Sequence, residues 1–223
     1  MIVLPRLYAI VDSGFFSSST VMADAARELV SAGCTLIQYR NKCGSPRVVL
    51  GEAQELRRLL PLSQNPHPVS GKSSETRVGQ PSVRFIMNDR ADLCLAAEFD
   101  GVHVGQEDLS PEPVRQIIGP NRWLGVSTHN PEQLREADLT SADYVAIGPV
   151  FATTSKERPD PVVGLEGVRR ARNFTRKPLV AIGGITRASA VAVIEAGADS
   201  VAVISDLTKD PAKSAEEFFR ILR

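Results

Sequence analysis

Short apolar segments recur along the chain, and each is followed by a turn and then by a segment with helical periodicity. Eight of these apolar segments are four or five residues long: 7–11, 35–39, 83–87, 101–104, 123–127, 144–147, 179–182 and 200–204. They lack a clear alternation of apolar and polar positions, which is typical of parallel strands that are covered on both faces. The pattern therefore predicts eight parallel strands.

The segments between the strands carry signals for the starts and stops of helices. Ser110 and Asn130 each place a capping side chain directly before a proline, and Gly33 and Gly197 follow the last helical position of two other segments. The predicted helices include 20–32, 46 to about 60, 186–196 and 211–222.

This alternation of strands and helices predicts an α/β fold, a single-domain (β/α)8 TIM barrel over residues 1–223. A doubly wound open sheet is the alternative, but eight strands that are each covered by a following helix favour the barrel. One segment, 61–82, is rich in proline, serine, glycine and charged residues. We expect it to form an extended surface loop on the N-terminal face, away from the chemistry.

Composition narrows the class of protein. The 26 Lys and Arg residues balance 26 Asp and Glu residues, which argues against a general nucleic-acid binder. Hydrophobic residues make up 43% of the chain, enough for a core, but no apolar run approaches the roughly 18 residues that span a bilayer. Three cysteines without metal-like spacing fit a reducing compartment. We expect a cytoplasmic protein that binds neither nucleic acid nor membrane, and its oligomeric state stays open.

Catalytic groups in such barrels come from the C-terminal ends of the strands and the loops that follow. The second strand ends with Gln38, Arg40 and Lys42, which period-2 spacing puts on one face. An amide followed by two cations suits a polyanion such as a diphosphate. A solvated strand end held by salt bridges explains this motif equally well.

Two carboxylates follow neighbouring strands, Asp89 after the third and Asp108 after the fourth. They could share one magnesium ion, which takes oxygen ligands from one or two carboxylates, water and substrate phosphate. Alternatively, Asp89 caps the next helix and Asp108 stabilises a turn. His103 lies inside a strand, where we expect a packed and hydrogen-bonded role.

Later strand ends carry groups that suit phosphate. Three hydroxyl residues and a lysine occupy 153–156, and Gly183 and Gly184 follow the seventh strand, where barrels commonly bind phosphate through backbone N–H groups. A flexible polar loop and a tight structural turn are the alternatives. His129 fits the capping turn at Asn130, and no nucleophile or general base stands out. The set favours a reaction driven by stabilisation of a leaving group.

Several ordered motifs closely resemble the thiamine phosphate synthase family. The matching strings lie at 38–42, 88–93, 101–108, 125–129, 148–151 and 180–185. The resemblance implies a transferase that condenses 4-amino-2-methyl-5-hydroxymethylpyrimidine diphosphate with a plain or carboxylated hydroxyethylthiazole phosphate, giving thiamine phosphate and diphosphate. Diphosphate would leave first, and the thiazole nitrogen would then capture the pyrimidine carbocation.

The resemblance also implies roles for individual residues. One Mg²⁺ ion per subunit would be held by Asp89 and Asp108. The pyrimidine diphosphate would contact Gln38, Tyr39, Arg40, Asn41, Lys42, Asn88, Ser127 and Lys156, of which Arg40, Lys42, Ser127 and Lys156 would be catalytic. The thiazole phosphate would contact Thr153, Thr154, Ser155, Gly184, Ile204 and Ser205. The string at 153–156 departs from the family's Thr-x-Thr-Lys by replacing one threonine with serine, which keeps the hydroxyl.

Two other functions fit the same fold. A thiazole tautomerase would share the barrel and the thiazole phosphate site, but it needs neither the cations of the second strand nor both carboxylates. A non-catalytic sensor of phosphorylated ligands would be free to lose the carboxylate pair.

Overall fold

The structure, a computed structural model, describes residues 2–59, 83–153 and 160–223. Within these residues, eight parallel strands pair in sequence order, and β8 pairs with β1 to close the barrel. The strands are β1 Leu7–Asp12, β2 Leu36–Arg40, β3 Arg84–Asn88, β4 Gly101–Val104, β5 Trp123–Thr128, β6 Tyr144–Ile147, β7 Leu179–Ile182 and β8 Ser200–Val203.

A helix follows each strand. The helices are α1 Ser19–Ser31, α2 Pro46–Leu59, α3 Ala91–Ala96, α4 Pro111–Ile118, α5 Pro131–Asp138, α6 Gly164–Phe174, α7 Ala190–Glu195 and α8 Pro211–Ile221. Two short 3-10 helices, Ser13–Phe15 and Ser205–Leu207, follow β1 and β8. The predicted barrel is confirmed, and the open sheet is excluded by the β1–β8 pairing.

Two local predictions differ from the structure. The helix predicted from residue 186 begins only at Ala190, because Thr186 starts a hydrogen-bonded turn: its carbonyl accepts from the N–H groups of Ser189 and Ala190. Ser110 precedes α4 without a side-chain capping bond, whereas Asn130 Oδ1 does accept from the N–H of Gln133, at 2.9 Å.

Side chains of the strands divide between two cores. Alternate residues such as Leu7, Ala9 and Val11 pack outward against the helices, and their neighbours Tyr8 and Ile10 point into the barrel. The interior cluster is small, and polar side chains continue it towards the C-terminal ends of the strands. The barrel thus places a polar layer at its mouth.

The N-terminal ends of the strands are held by a repeated pairing. An aspartate lies directly before each of the strands β4, β6 and β8. Its carboxylate accepts a hydrogen bond at 2.8 Å from a backbone N–H of β3, β5 or β7, respectively. It also pairs with an arginine of α2, α4 or α6, respectively. The three pairs are Asp100 with Arg57, Asp143 with Arg115, and Asp199 with Arg172.

Two predicted features lie outside the described residues. The loop expected at 61–82 is one, and most of the hydroxyl–lysine string, residues 154–156, is the other. In the described ranges, every helix is too short or too polar to cross a membrane.

Candidate active site at the C-terminal ends of the strands

The first group of charges lies where β1 and β2 end side by side. Asp12 pairs with Arg40 in the strand register, and the Arg40 guanidinium donates a hydrogen bond to the Asp12 carboxylate. Asp12 is nearly buried, whereas Arg40 is partly exposed at the mouth. An acceptor in this position holds the guanidinium at the strand end, with its remaining N–H groups available to a ligand.

Lys42 extends this positive surface and meets the two predicted metal ligands. Its Nζ lies 2.5 Å from Asp89 Oδ2, and the Asp108 carboxyl lies close enough to Asp89 to affect its charge. Burial raises the pKa of the Asp89 carboxyl; the hydrogen bond from Lys42 acts against this rise, and the contact with Asp108 adds to it. Residues from the ends of β2, β3 and β4 therefore meet at one point.

Asp89 holds its place through an unusual backbone conformation. Its φ is 60°, in the left-handed region that few residues other than glycine adopt, and its N–H donates to the carbonyl of His103 at 2.8 Å. Such conformations cost about 1–3 kcal/mol and concentrate at functional sites. Asp89 does not cap α3, whose N-cap is Arg90. The geometry therefore argues against the helix-cap alternative.

The donor set at this point fits a small divalent cation. Two neighbouring carboxylates repel each other unless a proton or a cation neutralises them. Asp108 Oδ2 also accepts the N–H of Gly105 at 2.7 Å, so the turn that we considered as its alternative role does form and fixes its orientation. Among the described residues, no group of three or more His, Cys, Asp or Glu side chains could hold a metal. Water and substrate phosphate would have to complete the coordination, as is usual for Mg²⁺.

Below the charged layer, a line of hydrogen-bonded side chains crosses the barrel interior. Gln38 Nε2 donates to Tyr8 Oη at 2.8 Å, and Tyr8 Oη lies 3.0 Å from Tyr144 Oη. His103 Nδ1 lies 3.1 Å from Tyr144 Oη, and its Nε2 lies 2.8 Å from Ser127 Oγ. The packed, hydrogen-bonded role predicted for His103 is confirmed.

Burial keeps the members of this line uncharged. Burial lowers the pKa of His103 to about 4, and it raises the pKa values of Tyr8 and Tyr144 above the ordinary value for tyrosine. At neutral pH the imidazole is therefore neutral, and both phenols keep their protons. Ser127 is the end of the line that is partly exposed towards the mouth.

The other two side chains of the 38–42 string turn away from the mouth. Tyr39 Oη donates to Glu52 of α2 at 2.5 Å, and Asn41 Nδ2 donates to the same carboxylate at 2.9 Å. Asn41 Oδ1 also accepts the N–H groups of Cys43 and Gly44, so it stabilises the turn after β2. Of the five residues predicted for this string, the structure brings Gln38, Arg40 and Lys42 to the interior and the mouth.

The glycine turn after β7 lies against the loop after β6. Gly183 and Gly184 have φ values of 101° and 62°, and a Cβ on Gly184 would lie 2.4 Å from the Ala152 carbonyl oxygen. A side chain is therefore excluded here, and the turn lies next to the segment that leads into Thr153. Ser205 is exposed at the start of the 3-10 helix after β8. In the described part of the chain, the ends of β6, β7 and β8 thus offer hydroxyl and backbone groups.

Comparisons with known proteins agree with the family that the sequence motifs resemble. A family model described as thiamine monophosphate synthase matches residues 70–207. The thiamine-phosphate synthase of Koribacter versatilis is 54% identical over 222 residues, covering 98% of this chain and 96% of the relative. This chain belongs to the thiamine-phosphate synthase family. The relative from Methanosarcina mazei is 35% identical over 218 residues, 97% of this chain and 82% of its own.

A solved member of the thiamine-phosphate synthase family has the same architecture. The thiamine phosphate pyrophosphorylase of Pyrococcus furiosus superposes with a TM-score of 0.78 at 30% identity, covering 97% of this chain and 95% of its own. The resemblance stated from the sequence motifs is confirmed at the level of family and fold.

Three residues of the barrel interior and mouth were not identified as site residues from the sequence motifs. Tyr8 and Tyr144 were included only in apolar strand segments, and Asp12 was not considered. Period-2 spacing from Tyr8 to Asp12 places both on the interior face, and Asp12 is in register with Arg40 of β2. That spacing was the available signal. Thr154, Ser155 and Lys156 lie outside the described residues, so their predicted roles stay predictions.

Proposed function

We propose that this chain condenses 4-amino-2-methyl-5-hydroxymethylpyrimidine diphosphate with a hydroxyethylthiazole phosphate, releasing diphosphate and forming thiamine phosphate. The observation that carries the proposal is the meeting of Lys42, Asp89 and Asp108 beside the Arg40 guanidinium at one end of the barrel. Membership of the thiamine-phosphate synthase family supports it. The chain would work on small phosphorylated substrates.

The leaving diphosphate would bind over β2, β3 and β5. Arg40 and Lys42 carry fixed positive charge at the mouth, and Ser127 offers a hydroxyl from the facing strand. We assign Asn88, at the end of β3, and Lys156 to the same ligand. These groups stabilise the negative charge that develops on the leaving oxygen, which is the largest single source of rate enhancement in many enzymes.

Asp89 and Asp108 would hold one Mg²⁺ ion. Bound there, Mg²⁺ would neutralise charge on the diphosphate and make it a better leaving group. Lys42 would then be released from its close contact with Asp89 and could turn to the diphosphate. This exchange of partners is within reach because Lys42 is half exposed.

The pyrimidine would lie above the interior line, between the diphosphate and the thiazole. Departure of diphosphate would leave a pyrimidine carbocation, and the neutral thiazole nitrogen would capture it without a general base. The side chains below the mouth are consistent with a reaction that needs no general base. Burial raises the pKa values of Tyr8 and Tyr144 and lowers that of His103, so none of the three exchanges a proton readily at neutral pH. Thr153 to Ser155, Gly184, Ile204 and Ser205 would receive the thiazole phosphate.

A thiazole tautomerase would use only the second half of this site. Isomerisation of the thiazole does not require Arg40, Lys42 or the paired carboxylates. In this structure, specific contacts hold each of these side chains in place. A sensor would not require the costly left-handed conformation of Asp89. We therefore favour the synthase.

The test is a coupling assay with purified protein, both substrates and Mg²⁺, with thiamine phosphate as the product measured. We expect product with Mg²⁺ and none after chelation by EDTA. Absence of product in both conditions would refute the synthase. Conversion of one thiazole isomer into another without the pyrimidine substrate would support the tautomerase instead.

Two variants localise the activity. Asp89→Asn and Lys42→Ala should each lower kcat by about 100-fold or more, because each removes charge that stabilises the leaving group. Asp24→Asn is the matched control: its carboxylate pairs with Arg27 on the exposed surface of α1, and we expect wild-type rates. Equal rates for Asp89→Asn and Asp24→Asn would show that the carboxylate pair is not part of the site.

A further inference from the structure

Five side chains, each from a different strand, form one continuous line of hydrogen bonds through the barrel. The order is Gln38 of β2, Tyr8 of β1, Tyr144 of β6, His103 of β4 and Ser127 of β5, with successive polar atoms 2.8 to 3.1 Å apart. Gln38, Tyr8, Tyr144 and His103 are buried, and only the Ser127 end reaches the mouth. The line therefore connects a buried amide to a group at the substrate site.

The amide at the buried end gives the line a direction. With the Gln38 amide in this orientation, Nε2 donates to Tyr8 Oη, which leaves the Tyr8 hydroxyl proton to be donated to Tyr144 Oη. In this direction Tyr144 donates to His103 Nδ1, which then carries no proton. The single proton of the neutral imidazole is then on Nε2, and it is donated to Ser127 Oγ. The Ser127 hydroxyl proton is left without a role inside the line.

We propose that this line makes Ser127 a fixed hydrogen-bond donor towards the mouth, with Tyr8, Tyr144 and His103 as positioning residues that act through it. The inference rests on the proposed function, in which Ser127 contacts the leaving diphosphate. Oxygens of a fully ionised diphosphate only accept hydrogen bonds. A serine whose lone pair is already occupied by His103 Nε2–H presents its proton to such a ligand without reorganisation.

The backbone around Ser127 is built to keep this arrangement. Gln106 Nε2 donates to the Ser127 carbonyl at 2.7 Å, which ties the strand end to the loop after β4. Two residues earlier on the same face, Gly125 leaves the space in which Tyr144 and His103 meet: a Cβ there would lie 2.4 Å from His103 Nδ1. The Gln106 bond fixes the Ser127 backbone, and the missing side chain of Gly125 leaves room for the imidazole between Tyr144 and Ser127.

The opposite direction would give the opposite chemistry. With the Gln38 amide turned over, Tyr8 would donate to its oxygen, Tyr144 would donate to Tyr8, and His103 would carry its proton on Nδ1. Ser127 would then donate to His103 Nε2 and offer only lone pairs to the ligand. The tautomer of His103 therefore distinguishes the two directions.

The experiment is a long-range ¹H–¹⁵N correlation spectrum of the ¹⁵N-labelled full chain, recorded without substrate or metal. The chain has three histidines, and a His103→Asn variant assigns the signals of His103 by their loss. We expect a pyrrole-type shift at Nε2 and a pyridine-type shift at Nδ1. A protonated Nδ1 would overturn the proposal.

Variants then test whether Tyr144 acts through Ser127. Tyr144→Phe removes the donor to His103 Nδ1, so we expect the tautomer signals to shift and kcat to fall by about 3- to 10-fold, with a smaller change in KM. Tyr39→Phe is the matched control for the NMR signal, since it removes another buried phenol that bonds Glu52 instead, and the tautomer should stay unchanged. A His103 spectrum that does not respond to Tyr144→Phe would contradict the proposal.

A double variant separates positioning from direct contact. Ser127→Ala should lower kcat by about 100-fold, and adding Tyr144→Phe should cause no further loss if Tyr144 works only through Ser127. Multiplied losses would overturn that part of the inference. Failure of the coupling assay with the wild-type protein would instead refute the proposed function, while leaving the tautomer result intact.

Discussion

Substitution of Gly125 by alanine is a sharp test of the barrel interior. Gly125 lies in β5 opposite Tyr144, in register with it, and its missing side chain leaves room for two rings to meet. A Cβ at this position would lie 2.1 Å from Tyr144 Cζ, 2.4 Å from Tyr144 Oη and 2.4 Å from His103 Nδ1. All three distances are far shorter than a van der Waals contact, so the neighbours would have to move.

The size of the effect follows from what can move. Tyr144 is fully buried, and its hydroxyl is held by Tyr8 and His103. Overpacking of a filled core costs about 1–3 kcal/mol, and each hydrogen bond lost adds about 1 kcal/mol. We therefore expect a loss of about 3 kcal/mol in the free energy of unfolding. For a chain of this length that corresponds to a Tm about 6–12 °C lower.

The assay is thermal unfolding followed by circular dichroism, together with the coupling rate measured below the transition. Gly51→Ala is the matched control, because Gly51 lies on the exposed side of α2 with no atom within 4 Å of the added Cβ. Because alanine has a higher helix propensity than glycine, Gly51→Ala should raise the free energy of unfolding by about 1 kcal/mol. Wild-type Tm and wild-type rate in Gly125→Ala would show that Tyr144 and His103 do not meet as described.

Two further predictions concern the rest of the barrel. Under native conditions only Cys43 should react with a thiol reagent, because it is exposed, whereas burial raises the pKa values of the Cys34 and Cys94 thiols to about 12. Asp100→Ala should lower the free energy of unfolding by about 3–5 kcal/mol, since it leaves the largely buried Arg57 guanidinium without this carboxylate; chemical denaturation measures the loss.

Each of these has a clear contrary result. Three reactive thiols before unfolding would show that the outer core is open around the two buried cysteines. For the aspartate, Asp24→Ala removes an exposed carboxylate and should change stability by less than about 0.5 kcal/mol. An Asp100→Ala variant no less stable than Asp24→Ala would show that the N-terminal pair contributes little.

The strands and most helices could be predicted because their signals are local. A strand that is covered on both faces appears in the sequence as a short apolar run. A glycine after a helix indicates the helix end, because glycine readily adopts a positive φ, as Gly33 and Gly197 do with φ values of 106° and 111°. Helix α7 was mispredicted at its start because Thr186 and Ser189 satisfy each other in a turn, and residue type alone does not reveal that preference.

The residue types of the site could be predicted from the sequence, but the hydrogen bonds between side chains of different strands could not. The rule that strand ends meet at one face allowed Asp89 and Asp108 to share a cation, the family resemblance implied that they do, and the structure places them near each other. The line through Tyr8 and Tyr144 depends on which strands face each other across the closed barrel. That information is not present in any single strand, where both tyrosines read as core residues.

The same residue types do different work on the two faces of this barrel, and their partners distinguish the roles. On the N-terminal face, Asp100, Asp143 and Asp199 recur at equivalent positions, and each is satisfied by a backbone N–H and an arginine. Repetition of this kind is what structural support of a repeated βα unit requires. On the C-terminal face, Asp89 and Asp108 lie near each other, and the repulsion between two ionised carboxylates is relieved by a proton or a cation. In this chain of zero net charge, paired charges at the N-terminal face therefore stabilise the fold. At the C-terminal face, charges that are only partly neutralised remain able to interact with phosphorylated substrates.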